Sequence, residues 1–190
     1  MPAESKTQLY NRMLSSRDEL RLEDVERMSE EIERRVLGMH EFRTALRIGL
    51  YAVYKNEVRT DRIFVEGDKH RKEIYYPAID VEKGGLSYFR VMHLNDLLHT
   101  EKGFHEPSST QSRLRDLGSL DVLIVPGVAF DIKGRRMGFG QGFYDNCLKG
   151  FRGRRVALAY DFQVVLELPS VIRESTIDWI VTERRVIRCQ

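Results

Sequence analysis

The sequence predicts an α/β fold, a three-layer α/β/α sandwich around a mostly parallel sheet, and three observations carry that prediction. Val122-Leu123-Ile124-Val125 and Val156-Ala157-Leu158-Ala159-Tyr160 are apolar runs too short for helices, which read as strands buried on both faces. Val25, Met28, Ile32, Val36 and Met39 recur at intervals of three or four, the period of a helix with one apolar face. Strand-like and helix-like segments alternate along 190 residues without a repeat or a low-complexity tract, which predicts a single domain over residues 1–190.

The elements follow in order. Residues 5–20 carry Leu9, Met13 and Leu14 at helical spacing among charges, and the Val25 series gives a second, clearer helix that frays near Gly38 and His40. Residues 47–54 are apolar and aromatic, a first strand ending in the polar turn Lys55-Asn56-Glu57. A helix is expected from Thr60 to Val65, a strand over residues 73–76 stopped by Pro77, another over 86–91, and a helical turn near residues 94–100. Residues 103–113 have the composition of a mobile surface loop. Strands at 122–125, 154–160 and 177–182 complete the sheet, with a helix over 144–149 and an edge extension over 184–188.

Composition narrows the function. Thirty-one basic and 29 acidic residues nearly cancel to a charge of +2, so no basic field points to nucleic acid. Two cysteines, Cys147 and Cys189, are too few for a disulfide framework and fit a reducing cytoplasm; Cys147 reads as a packed side chain rather than a nucleophile. No run of about 18 apolar residues suits a membrane span, and no signal-like apolar stretch opens the chain. The five histidines show no metal-ligand spacing.

Chemistry concentrates in Pro126-Gly127-Val128-Ala129-Phe130-Asp131-Ile132-Lys133-Gly134-Arg135-Arg136-Met137-Gly138-Phe139-Gly140-Gln141-Gly142-Phe143-Tyr144-Asp145, a long glycine-rich loop between a buried strand and a helix start. Gly138, Gly140 and Gly142 lack the spacing of a dinucleotide fingerprint and the ending of a nucleotide-binding P-loop, and by themselves fit either a tight connection or a phosphate cradle. Lys133, Arg135 and Arg136 just upstream favour the cradle. Asp145 either bridges to phosphate through Mg²⁺ or complements the helix dipole. Phe139, Phe143 and Tyr144 either stack on a planar ligand or fill the core.

Residues 126–145 resemble the signature of the 5-formyltetrahydrofolate cyclo-ligase, or methenyltetrahydrofolate synthetase, family. Ordered matches extend over nearly the whole chain: Lys6 with Leu9 and Arg17, residues 51–60 with Glu57, Val58 and Thr60, then Pro77, Glu106-Pro107, Tyr160 with Phe162-Gln163, Leu168-Pro169, and Asp178 with Ile180-Val181-Thr182. The resemblance implies a Rossmann-like sheet in a cytoplasmic monomer that binds neither membrane nor nucleic acid. It implies the ATP- and Mg²⁺-dependent conversion of 5-formyltetrahydrofolate to 5,10-methenyltetrahydrofolate, yielding ADP and phosphate. The formyl oxygen attacks the γ-phosphate, N10 closes on the activated carbon, and phosphate leaves.

Site roles follow from the same resemblance. Lys6, Arg136 and Tyr144 stand at catalytic positions. Lys6, Arg136 and the run Met137, Gly138, Phe139, Gly140, Gln141, Gly142, Phe143 and Tyr144 hold ATP. Ala52, Glu57, Phe139, Gly140, Gln141, Gly142 and Phe143 face the folate, and Asp145 and Glu174 hold Mg²⁺. The chain departs from the pattern at Tyr10, where the family has Arg, at Gln141 inside the loop, and at Arg173-Glu174, where His-Asp is common. Arg135 and Arg184 are the candidate replacements for the cation lost at Tyr10. These departures leave a non-catalytic nucleotide- or folate-binding protein on the same fold as the alternative.

Overall fold

The computed structural model describes residues 4–80, 84–101, 103–108, 110–169 and 176–189. Helix α1 (Lys6–Asp18) begins at Ser5, whose hydroxyl accepts the Gln8 amide while the Gln8 side chain accepts the Ser5 amide. Helices α2 (Leu22–Gly38), α3 (His40–Thr44) and α4 (Asp61–Lys69) follow, with strand β1 (Arg47–Gly49) between the last two. Strands β2 (Glu73–Asp80) and β3 (Gly85–Arg90) form an antiparallel pair, as do β4 (Leu97–His99) and β5 (His105–Pro107). After β6 (Val122–Val125) come the short hairpin β7 (Ala129–Asp131) and β8 (Arg136–Met137), helix α5 (Phe143–Leu148), β9 (Arg154–Leu158), β10 (Val164–Val165), β11 (Trp179–Val181) and β12 (Val186–Arg188).

Seven of these strands make one sheet in the order β12-β11-β9-β6-β1-β2-β3. Its five inner strands are parallel, and β12 and β3 close the two edges in antiparallel. Alternation along β6 sets the layers. Val122 and Ile124 join Ile48, Ile74 and Val156 under Met28, Ile32, Val36, Ile63 and Phe64 of α2 and α4. Leu123 and Val125 join Ala157, Tyr75 and Ile180 on the opposite face, covered by Cys147 and Leu148 of α5 and by Phe151. A strand buried on both sides has no polar alternation to show, which is why its sequence is a continuous apolar run. Helix α1 packs apart from the sheet, with Leu9 and Met13 against Val128, Ala129, Met137 and Leu168. No helix among the described residues is long and apolar enough to cross a membrane.

Four expectations need correction. The first strand is three residues long, not eight: after the Leu50 amide bonds to the Tyr75 carbonyl (2.8 Å) the chain leaves the sheet, and the Tyr51 hydroxyl donates instead to Val58 O (2.7 Å). Pro77 does not stop β2, which runs on to Asp80. Val91 donates to Ile74 O and Leu114 donates to Tyr88 O, so the pairing of Pro77 with Tyr88 is one that exchanges no backbone hydrogen bond. The missing N–H of Pro77 points instead to the side where β1 has already ended. Residues 103–113 are not all loop, because β5 pairs with β4 there. The glycine-rich stretch after β6 contains the β7–β8 hairpin, held by Asp131, which is fully buried and accepts hydrogen bonds from Lys133 N, Arg135 N, Arg135 Nε and Leu168 N.

Candidate active site

The parallel order reverses between β1 and β6: β1 leads to β2 on one side, and the chain then returns to β6, β9 and β11 on the other. Ligands in open parallel sheets bind outside the carboxyl ends of the strands at such a reversal. A cavity of about 450 Å³ lies there, lined by Ala52 beyond β1 and by Pro126 and Gly127 beyond β6.

One wall is the glycine loop. Residues 138–145 all line the cavity, together with Arg136 from β8. The Arg136 side chain is almost wholly buried and triply engaged. Its Nη1 donates to Pro126 O (3.2 Å), its Nη2 pairs with Asp145 Oδ1 (2.7 Å), and the guanidinium lies 5.6 Å from the centre of the Tyr144 ring. A Cβ on Gly138 would come within 2.6 Å of Arg136 Nη1, so glycine is what lets the guanidinium lie against the loop. Gly142, with φ +75°, turns the chain into α5 through a left-handed conformation that other residues rarely adopt. Burial pushes the Tyr144 hydroxyl far above its ordinary value, so it stays a proton donor at any physiological pH.

The opposite wall comes from residues 50–60. Thr60 Oγ1 donates to Tyr51 O (3.1 Å), Arg59 N donates to Ser29 Oγ (3.0 Å), and the Asn56 amide donates to Arg17 O (3.0 Å) and Leu20 O (3.1 Å) at the end of α1. This bracing places Glu57, only 5% exposed, against the cavity. Its Oε2 accepts the Tyr54 amide (3.0 Å), and its Oε1 lies 3.7 Å from Arg17 Nη1. Burial pushes the Glu57 carboxyl up to about 7, against the opposing pull of the Arg17 charge and the Tyr54 N–H. Aromatic rings close this end: Tyr54 packs 4.8 Å from Phe104 and edge-on to Phe139 at 6.3 Å. Phe104, His105 and Glu106 bring the β4–β5 hairpin to the rim, and Glu106 Oε1 accepts the Ile79 amide (3.2 Å).

Of the residues singled out from sequence, Ala52, Glu57, Arg136 and the whole run 138–145 converge on this cavity. Lys6 stands exposed on the first turn of α1, outside the lining, and Met137 turns away into the α1 cluster. Glu174 and Arg173 lie outside the described residues. Tyr10 packs against that same α1 cluster. Neither proposed replacement for its missing cation reaches the cavity: Arg135 pairs with Asp131 (2.6 Å) and Glu167, and Arg184 is exposed beside Glu183. Cys147 is packed, as expected, and burial pushes its thiol up to about 11. No cluster of three or more metal-ligating side chains occurs among the described residues. Sequence reasoning did not find Tyr54 and Phe104, which reach the cavity only through tertiary folding. Arg17 did leave a signal: it follows Leu9 and Met13 at the same four-residue spacing, a cation on the apolar stripe of α1.

A parallel sheet with a cavity at its reversal point, walled by a glycine loop, a buried arginine and a buried carboxylate, defines an α/β protein for a small anionic, aromatic ligand. The sequence pattern described as the 5-formyltetrahydrofolate cyclo-ligase family matches residues 2–183. The chain belongs to that family. It is 32% identical over 143 residues to the 5-formyltetrahydrofolate cyclo-ligase of Haemophilus influenzae, covering 73% of this chain and 76% of that protein. The NMR structure of Aquifex aeolicus 5,10-methenyltetrahydrofolate synthetase superposes with a TM-score of 0.85 at 35% identity, over 97% of this chain and 93% of that one. The 5,10-methenyltetrahydrofolate synthetase of Mycoplasma pneumoniae, 19% identical, shares the fold with a TM-score of 0.73 over 94% of this chain and 98% of its own.

Proposed function

We propose that the protein converts 5-formyltetrahydrofolate to 5,10-methenyltetrahydrofolate at the expense of ATP, acting as a single-domain cytoplasmic monomer over residues 1–190. One observation carries this reading: the arginine-bearing glycine loop and the buried Glu57 open into the same cavity, so an anionic and a heterocyclic group can meet there. Glu57 accepts hydrogen bonds from the N–H groups of the pterin, and Tyr54, Phe104 and Phe139 pack on its ring. Arg136, Lys6 and the loop amides bind the triphosphate and offset charge on the γ-phosphoryl oxygens. The formyl oxygen attacks the γ-phosphorus and ADP departs. N10 then attacks the activated carbon, loses its proton, and phosphate leaves with the former formyl oxygen.

Mg²⁺ suits this donor set. It is usually held by one or two carboxylates and the substrate's phosphates rather than by an all-protein cage, and Asp145 supplies a carboxylate on the cavity wall, with Glu174 the second ligand. When bound it neutralises phosphate charge. Mixing pure protein with 5-formyltetrahydrofolate, ATP and Mg²⁺ is expected to generate the near-ultraviolet absorbance of the methenyl product. Folded protein that gives no ATP-dependent signal refutes the reading.

The ion pair between Arg136 and Asp145 favours a second reading, a non-catalytic nucleotide or folate binder, because it engages with each other the two groups the reaction needs. Calorimetric binding of ATP or folate without turnover would establish it.

A further inference from the structure

We infer that Arg17 is a positioning residue for the heterocyclic end of the cavity: from behind the wall it fixes both the Glu57 carboxylate and the Phe139 ring. The inference rests on the proposed pairing of Glu57 with the substrate and concerns a residue that touches no substrate itself.

Arg17 is 2% exposed and does not line the cavity, yet it joins three elements that do or that support it. Its backbone belongs to the last turn of α1, where Asn56 from the Glu57 loop grips its carbonyl. Its Nη1 lies 3.7 Å from Glu57 Oε1. Its guanidinium carbon lies 5.3 Å from the centre of the Phe139 ring, the half-exposed aromatic of the glycine loop. A buried charge placed merely for stability would be fully paired; Arg17 Nε has no hydrogen-bond partner among the described residues, and its contact with Glu57 exceeds ordinary hydrogen-bond length. The arrangement is electrostatic support at a distance: Oε2 is engaged by the Tyr54 amide, and Oε1, 3.7 Å from Arg17, keeps lone pairs for a ligand.

Among the described residues, the titratable groups facing Glu57 are Arg17 from α1, Tyr51 of its own loop, Tyr144 of α5 and Tyr160 beyond β9. Burial raises all three tyrosine hydroxyls, so they are neutral across the physiological range. Arg17 is therefore the charge that opposes desolvation of Glu57, whose carboxyl titrates at about 7. Without it the midpoint climbs by about one unit or more, as expected for loss of an opposite charge within a few ångströms.

Calorimetric titration with 5-formyltetrahydrofolate between pH 6 and 9 tests this. In the native protein affinity is expected to fall below about pH 7 as Glu57 takes up a proton. Arg17→Met is expected to move that midpoint up by about one unit and weaken folate binding about tenfold at neutral pH, with ATP binding unchanged. Arg17→Lys keeps a charge and folds more readily; it is expected to hold the native midpoint and lose about two- to fivefold in affinity through Phe139. A native midpoint in Arg17→Met, whatever its melting temperature, overturns the inference. Where Arg17→Met does not fold, a shifted midpoint or undiminished folate affinity in Arg17→Lys overturns it. Glu57→Gln separates the two levels: if it leaves folate affinity and its pH dependence untouched, the substrate reading of Glu57 fails; if it alters them while the arginine variants do not, only the role of Arg17 fails.

Discussion

Replacing Asp131 by asparagine exchanges one oxygen for an NH₂ group, yet the structure makes it a severe change. The carboxylate is fully buried and saturated: Oδ1 accepts Lys133 N (3.1 Å) and Arg135 N (3.0 Å), and Oδ2 accepts Arg135 Nε (2.6 Å) and Leu168 N (3.1 Å). Asparagine offers one acceptor, so either rotamer aims an NH₂ group at two donors. Leaving a buried donor unmatched costs about 1–3 kcal/mol, and the remaining bonds lose their charge assistance, so a loss of about 3 kcal/mol is expected. For a chain of this length that lowers the melting temperature by about 6–12 °C. The effect reaches the cavity as well, since the hairpin that Asp131 closes presents Arg136 at the start of β8, opposite Phe130. Thermal unfolding followed by circular dichroism, with ATP affinity measured well below the transition, is the assay. A melting temperature within about 2 °C of native would refute the claim that Asp131 holds the hairpin.

Three further changes probe separate parts of the molecule. Gly138→Ala places a methyl group against the buried, paired guanidinium of Arg136, so a loss of about 1–2 kcal/mol in stability is expected together with a fall of about tenfold in ATP affinity; unchanged ATP affinity would contradict this. Asn56→Ala removes two hydrogen bonds at the end of α1 and is expected to cost about 1–2 kcal/mol in urea denaturation and to raise the KM for folate more than that for ATP. Glu33 of α2 accepts the Arg62 amide at the start of α4 (2.8 Å), and burial pushes its carboxyl up from 4.5 to about 7. The folded state thus keeps a proton that the unfolded chain releases, and this part of the stability is lost as pH rises through that window; Glu33→Gln should show a shallower fall in urea midpoint between pH 5 and pH 8.

Much of the sheet was legible because burial on both faces writes itself into the sequence. The run Val122-Leu123-Ile124-Val125 and the period of α2 need no tertiary information to be read. Failures fall where a partner distant in sequence decides. Residues 51–54 have strand-like side chains, but Tyr51 finds its hydrogen-bond partner in Val58 rather than in a neighbouring strand. Pro77 is admitted to β2 because β1 stops at Gly49, and His105–Pro107 becomes a strand because Leu97–His99 lies beside it. In the site, the glycine loop was visible through its spacing and Glu57 through its order in the family pattern. Arg17 was visible only as a member of the family pattern and one charge among those of α1; a cation on an amphipathic helix is ordinarily solvated, and its burial here to 2% exposure comes from packing against segments distant in sequence.

The early end of β1 leaves a notch inside the sheet, between β2 and β6, beside which Pro77 and Ile79 line the cavity. Open strand borders invite other chains to add to them, and this border is refused to them chemically. Pro77 has no N–H to offer, and the Ile79 N–H is taken by Glu106. An intruding peptide would find its carbonyls facing a border with neither amide to give. Where the ladder stops because β1 has left the sheet, these two residues therefore leave an added strand no amide donors to pair with on this stretch of β2.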